Sequence, residues 1–181
     1  MVIGIIGEQA GGKGAAADII RKQYGGTRLT VSSLLRRTLD SLYLPSTREN
    51  LINLALVLKQ SFGGDVLMKA MLKEVEITDT DLIILDGLRM PGDPDPFREE
   101  YGQSFKLIYI TADPKTRYER SKTRGEKVGE SEASYEEFIS KELLGTEKAI
   151  ALVGETADFK IENNGNAEEL ESKVLEVMTK I

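Results

Sequence analysis

Neither cysteine nor histidine occurs among the 181 residues, and the two absences exclude much chemistry at once. Disulfides, thiolate nucleophiles, imidazole general bases and the common zinc sites all need one or the other. The chemistry is left to Asp, Glu, Lys, Arg, hydroxyl groups and the backbone. Long apolar runs are missing too: no stretch approaches the roughly 20 residues of a membrane span. The apolar start at residues 1–6 has no basic flank and meets Gly7 too early for a signal peptide, so a soluble cytoplasmic protein is expected. Positive charge is not in excess. A formal net charge of -6 and a pI ≈ 4.9 argue against coating nucleic acid or an anionic membrane, so an anionic ligand has to be gripped locally.

What is present supports a single core, since 40% of the chain is hydrophobic. Short apolar runs alternate with helical patterns, the mark of parallel strands joined by crossover helices. Strands are read at 2–6, 28–31, 81–86, 106–111 and 158–162. A helix over 13–24 sets Ala16, Ile19, Ile20, Gln23 and Tyr24 on one stripe and stops at Gly25-Gly26. Ser46 and Glu49 have capping-box spacing, after which Leu51, Leu54, Ala55 and Leu58 form a core-facing stripe. Beyond Gly63-Gly64 another helix turns Leu67, Met68, Met71, Leu72 and Val75 inward. Two helices are thus expected between the second and third strands. Asp113-Pro114 reads as an N-cap followed by proline, and the turn Asn163-Asn164-Gly165-Asn166 leads to a last helix that aligns Leu170, Val174, Met178 and Ile181.

Between the first strand and first helix lies Gly7-Glu8-Gln9-Ala10-Gly11-Gly12-Lys13-Gly14, which fits G-x-x-x-x-G-K. In that setting backbone N–H groups turn inward around an anion, the helix N-terminus adds positive potential, and Lys13 neutralises β- and γ-phosphates. The position after Lys13 ordinarily carries Ser or Thr to ligate Mg²⁺; here it is Gly14, followed by Ala15. The third strand ends in Asp86, delivered to the carboxyl edge of the sheet where ligands collect, to hold the water shell of Mg²⁺ or to orient the attacking oxygen. Arg89 follows three residues later, suited to bidentate capture of a phosphate. Between Lys115 and Lys127 stand six basic side chains against Glu119 and Glu126. Arg117, Arg120 and Arg124 share one helical face, as a closing, arginine-bearing lid requires.

With these pieces placed, the chain resembles the P-loop nucleoside-monophosphate-kinase and dephospho-coenzyme-A-kinase group over nearly its whole length. Gly12-Lys13-Gly14 is similar to the Gly-Lys-Gly-Thr form of adenylate kinases, with Ala15 where the threonine stands. Asp86-Gly87-Leu88-Arg89 is similar to that group's Asp-Gly-x-Arg segment, and Arg120-Ser121-Lys122-Thr123-Arg124 resembles its lid pair. The resemblance implies a single three-layer α/β/α domain over 1–181 with a parallel five-stranded sheet ordered 2-3-1-4-5. It also implies an acceptor-binding helical segment at about 34–75 and a lid at about 115–130. It places nucleotide on Gly7, Gln9, Ala10, Gly11, Gly12, Lys13, Gly14, Ala15, Arg120, Asn163 and Asn164, and the acceptor on Arg36, Arg48 and Arg89. Lys13, Asp86, Arg120 and Arg124 become the catalytic set, with Mg²⁺ on Asp86 through water. ATP and Mg²⁺ are the implied cofactors, small-molecule nucleotides the partners, without nucleic acid or membrane, and the protein a monomer or homodimer. Ser32 and Ser33 stand where dephospho-coenzyme-A kinases have an aspartate that acts on the acceptor hydroxyl. A phosphate acceptor such as a nucleoside monophosphate needs no such base. Dephospho-coenzyme A stays open as an alternative acceptor, as does a non-catalytic nucleotide-binding module.

Overall fold

Strict alternation along the strands builds two cores, one on each face of a parallel sheet. The computed structural model describes residues 1–124, 134–142 and 146–181, apart from the side chains of Arg124, Lys141 and Thr146. Its strands are β1 (Val2–Ile6), β2 (Thr27–Thr30), β3 (Ile83–Asp86), β4 (Phe105–Thr111) and β5 (Phe159–Glu162), in the spatial order β2-β3-β1-β4-β5 and all parallel. Val2, Ile6, Ile83, Leu85, Leu107 and Tyr109 serve one core, and Ile3, Ile5, Ile84, Ile108, Ile110 and Ile161 the other. With both faces buried, the strands read as unbroken apolar runs.

The helices are α1 (Lys13–Tyr24), α2 (Val31–Ser41), α3 (Arg48–Phe62), α4 (Val66–Ile77), α5 (Asp95–Tyr101), α6 (Pro114–Arg124), α7 (Tyr135–Glu142), α8 (Thr146–Gly154) and α9 (Ala167–Met178), with a 3₁₀ turn at Gly102–Ser104. The second core is closed by α1 through Ala16, Ala17 and Ile20 and by α9 through Leu170, Val174, Val177 and Met178. The first is closed by Leu35 of α2, Leu67, Met68, Met71 and Val75 of α4, Phe97 of α5, and Ile150 and Val153 of α8. Cutting a fully buried Ile84 or Ile108 to alanine costs about 2–5 kcal/mol by the usual cavity penalty. Among the described residues no single helix is long and apolar enough to cross a membrane.

Several local readings need correction. The second strand ends at Thr30 rather than at Val31, because Thr30 caps α2: its hydroxyl accepts from the Ser33 amide at 2.9 Å, and the Ser33 hydroxyl accepts from the Thr30 amide at 3.3 Å. Three helices, not two, therefore separate β2 from β3. α3 is capped by Thr47, which accepts from the Asn50 amide at 3.2 Å, while the expected cap Ser46 donates to Asp40 at 3.1 Å. The expected core-facing stripe of α3, Leu51, Leu54, Ala55 and Leu58, does pack against the first core, but it is half-buried rather than fully enclosed. Tyr24, expected on the inward stripe of α1, is 45% exposed.

A candidate phosphate-binding cleft

The loop from β1 to α1 needs glycine because two other segments, β4 and the β5–α9 turn, press on it. At Gly7 a Cβ would lie 2.0 Å from the Ile110 carbonyl oxygen of β4. At Gly12, where φ is 108°, a Cβ would lie 2.2 Å from Nδ2 of Asn163, whose amide donates to Gly11 O at 2.9 Å. Ala10 is held at φ 60°. α1 starts at this bend with no side-chain cap and no acid in its first turn, so its leading amides present partial positive charge to the cleft.

Lys13 folds back over the loop, donating to Gly7 O at 2.6 Å and Glu8 O at 3.1 Å. Burial pushes its ammonium below the ordinary lysine pKa, Asp86 being the strongest influence in the opposite direction and Arg89 adding to the depression. Asp86 ends β3, beside β1 and paired in register with Ile5, so one parallel step brings it level with the loop. Arg28 of β2 donates to its Oδ2 at 2.5 Å. The turn carrying Arg89 is fixed by Asp93, whose Oδ2 accepts from the amides of Arg89 and Met90 at 2.8 and 2.9 Å.

On the other flank α6 and the β5–α9 turn are stitched together. Arg120 donates to Asn163 O at 2.8 Å and Gly165 O at 2.9 Å, and Asn164 Oδ1 accepts from the Asp113 amide at 2.7 Å. The expected open arginine face of the lid is corrected here. Arg117 is buried; its Nε donates to Ala112 O at 2.8 Å and its other nitrogens to both carboxylate oxygens of Glu142 on α7. Tyr118 packs on Tyr135 and Phe138 of the same α7, which gives α6 an apolar partner its own sequence does not suggest. The Arg124 side chain and the expected lid beyond it, including Lys127, lie outside the described residues.

These elements enclose one cleft of about 1550 Å³. Gln9, Ala10, Gly12, Lys13, Gly14, Ala15, Arg48, Asp86, Arg89, Arg120 and Asn163 line it. Gly7 and Gly11 face the protein against Ile110, and Asn164 is occupied with Asp113. Arg36 is exposed on α2 and does not reach the cleft lining.

Four further residues belong to the site. Arg28 orients Asp86, and Glu147 of α8 accepts from the Gln9 amide at 3.0 Å. Glu8, inside the loop, is buried and accepts from the Tyr109 hydroxyl of β4, while its Oε2 has no partner. Burial first, and then this bond, push the Tyr109 phenol up to about 12. Arg28 was open to strand alternation as a side chain near Asp86; no local signal marks Glu147, which lies 138 residues from Gln9.

No family model matches the chain. It is similar to the UPF0200 protein of Methanocaldococcus jannaschii, 28% identical over 183 aligned positions spanning 100% of this chain and 90% of that one. It is also similar to the UPF0200 protein of Pyrococcus horikoshii, 25% identical over 184 positions spanning 100% and 97%. Of the UPF0200/UPF0201 protein of Archaeoglobus fulgidus, 26% identical, it spans 55% of the length. Among solved structures it superposes on shikimate kinase from Bacteroides thetaiotaomicron with a TM-score of 0.66 at 14% identity, covering 99% of this chain and 97% of that one. A gluconokinase from Sinorhizobium meliloti gives 0.63 at 14% identity, covering 99% and 91%. The fold is a P-loop kinase fold.

Proposed function

We propose that the protein is an ATP-dependent phosphotransferase acting on a small phosphate-bearing acceptor. The observation that carries this reading is the convergence of Lys13, at the start of α1, and Asp86, at the end of β3, onto one cleft whose loop tolerates no side chain at Gly7 or Gly12. A loop of inward amides on an uncapped helix start suits a triphosphate, and Lys13 is the cation for its β- and γ-phosphates. Arg48 and Arg89 are proposed for the acceptor, and Arg120, Arg124 and the Asn163 turn for the nucleotide. Arg36 is the weakest member of the acceptor set, being outside the cleft.

For Mg²⁺ the fit rests on Asp86, acting through water, since Gly14 offers no hydroxyl. When bound, the ion neutralises charge on the transferring phosphates. Positioning and charge stabilisation dominate phosphoryl transfer, so an anionic phosphate oxygen on the acceptor needs no general base. Ser32 and Ser33 supply none, which favours a phosphomonoester, with nucleoside and deoxynucleoside monophosphates the class implied by the family resemblance, over the hydroxyl acceptor dephospho-coenzyme A.

The test is ADP release with ATP and Mg²⁺ over a panel of phosphomonoesters and dephospho-coenzyme A. At least one acceptor should accelerate ADP formation, and Lys13→Ala should lose most of the rate or nucleotide affinity at nearly unchanged melting temperature. ATP binding with no acceleration by any acceptor would favour the non-catalytic module, which Gly14 and Ala15 motivate.

A further inference from the structure

Past the phosphate loop the cleft continues between α2, α3 and α4, and its wall changes character. The α3 residues that line it are Arg48, Leu51, Ile52, Ala55, Leu56 and Lys59. Their spacing is i, i+3, i+4, i+7, i+8, i+11, a single helical stripe with a cation at each end and four apolar side chains between. Roughly 16 Å of helix axis separates the two ends at 1.5 Å per residue. Leu35 of α2 and Leu67 and Met68 of α4 line the same part of the cleft and are buried. Ile52 and Leu56 remain 49% and 51% exposed, while Leu51 and Ala55 are half-buried against the first core. An open apolar stripe that is continuous with a phosphate-binding loop is a wall awaiting hydrocarbon.

Few polar groups nearby suit the edge of a nucleobase: from α2, α3 and α4 the lining has only the Ser32 hydroxyl and the terminal cations Arg48 and Lys59. Arg28 is held by Asp86, and Asp93 by two backbone amides. The carboxamides that line the cleft, Gln9, Asn163 and Asn166, belong to the phosphate loop and the β5–α9 turn rather than to α2, α3 or α4. A base buried on this wall would leave ring-edge donors and acceptors unpaired, each costing on the order of tenfold or more in affinity.

We infer that the acceptor is a phosphomonoester with a hydrocarbon body, an alkyl or prenyl phosphate, seated with its phosphate beside Arg89 and its chain along Leu51, Ile52, Ala55 and Leu56. This rests on the phosphotransferase reading and narrows it. In the transfer, an acceptor phosphate oxygen bonds to the γ-phosphorus of ATP as the bond from that phosphorus to the β,γ-bridging oxygen breaks. ADP leaves with the electron pair, and the product is the alkyl or prenyl diphosphate.

The experiment compares n-hexyl phosphate and dimethylallyl phosphate with the common nucleoside monophosphates and dephospho-coenzyme A, using the full chain with ATP and Mg²⁺ and identifying products by mass. The hydrocarbon phosphates should exceed every nucleotide in kcat/KM by tenfold or more. Leu56→Asn, and independently Ile52→Asn, should raise their KM about tenfold with kcat little changed, since such a contact holds ground and transition states alike. Both positions are half-exposed, so both variants keep the fold, which circular dichroism verifies. Preference for a nucleoside monophosphate would leave the phosphotransferase reading standing and overturn this one. Turnover of no acceptor would remove both. A change of oligomeric mass in Leu56→Asn, with KM for the hydrocarbon phosphates unmoved, would assign the stripe to a second copy of the chain and overturn the inference.

Discussion

The backbone amide of Gln9, in the middle of the phosphate loop, donates to the carboxylate of Glu147 at 3.0 Å from the other end of the chain. A negative side chain thus sits on a donor that a phosphate would use. Glu147 also ranks among the acids that partly offset the burial penalty on Lys13. Its position makes it a competitor of any incoming triphosphate, because charge-assisted bonds to backbone amides are about twice as strong as neutral ones.

Removing that competitor should tighten nucleotide binding. Glu147→Ala is expected to lower the Kd for ATP by about tenfold or more, since a hydrogen bond to a charged group is worth about 1.5–3 kcal/mol net and about 1.4 kcal/mol is tenfold. Isothermal titration of wild type and variant measures it. Weaker binding by the variant would show that Glu147 supports the loop rather than occupying it.

The buried pair Arg117–Glu142 makes a claim about stability. Glu142 is 15% exposed at its side chain and Arg117 6%. Arg117→Ala should lower the unfolding free energy by about 3–5 kcal/mol, because it strands a mostly buried carboxylate. The double variant Arg117→Ala/Glu142→Ala should cost less than the sum of the two single changes. Urea denaturation of the four proteins closes the cycle. Additive losses would mean that the two side chains do not act as a pair.

That pair also shows where sequence reasoning stops. The five strands and the α1 boundaries were legible because they rest on local signals, namely unbroken apolar runs, a glycine-rich bend and Gly25-Gly26 as a stop, whereas the strand order came from the family resemblance. Arg117 was misplaced because its burial depends on Glu142, 25 positions away on a helix that carries no strong signature of its own. The same holds for α2. Its first turn is set by Thr30 and Ser33 bonding to each other's backbone, and such a reciprocal cap is easily passed over when the preceding residues read as strand. Asp86 and Lys13, which the structure brings to one cleft, were legible as candidates because an apolar run ending in an acid and a glycine-rich loop before a helix are both local patterns. Glu147 was not, since no spacing links it to Gln9.

Glu8 and Tyr109 supply a pH prediction. The Tyr109 phenol is raised from 10.0 to about 12, so the folded state holds its proton more tightly than the unfolded chain does. That contribution is whole below pH 10 and is lost as pH rises from 10 toward 12. Tyr109→Phe should be less stable than wild type near pH 8 by about 1–3 kcal/mol, as Glu8 loses the hydroxyl that bonds its buried carboxylate. The gap should narrow between pH 10 and 12. Denaturant titrations of both proteins across that range test it, and a gap constant with pH would sever Tyr109 from the effect.

Gly14 invites the reverse experiment, the addition of a group. A Cβ built there meets nothing within 4 Å, and the position lies in the first turn of α1, where serine is a better helix residue than glycine by a few tenths of a kcal/mol. Gly14→Ser should therefore fold at least as stably as wild type. It should also place a hydroxyl where P-loop enzymes ligate Mg²⁺, lowering the Mg²⁺ concentration needed for half-maximal ATP binding by several-fold. Gly14→Ala is the control: it shares the helix gain and lacks the ligand. If serine and alanine shift the Mg²⁺ dependence equally, the hydroxyl does not reach the metal. Asp86 would then be holding the ion from a direction in which Gly14 has no part, and a loop without Ser or Thr would be at no disadvantage in this protein.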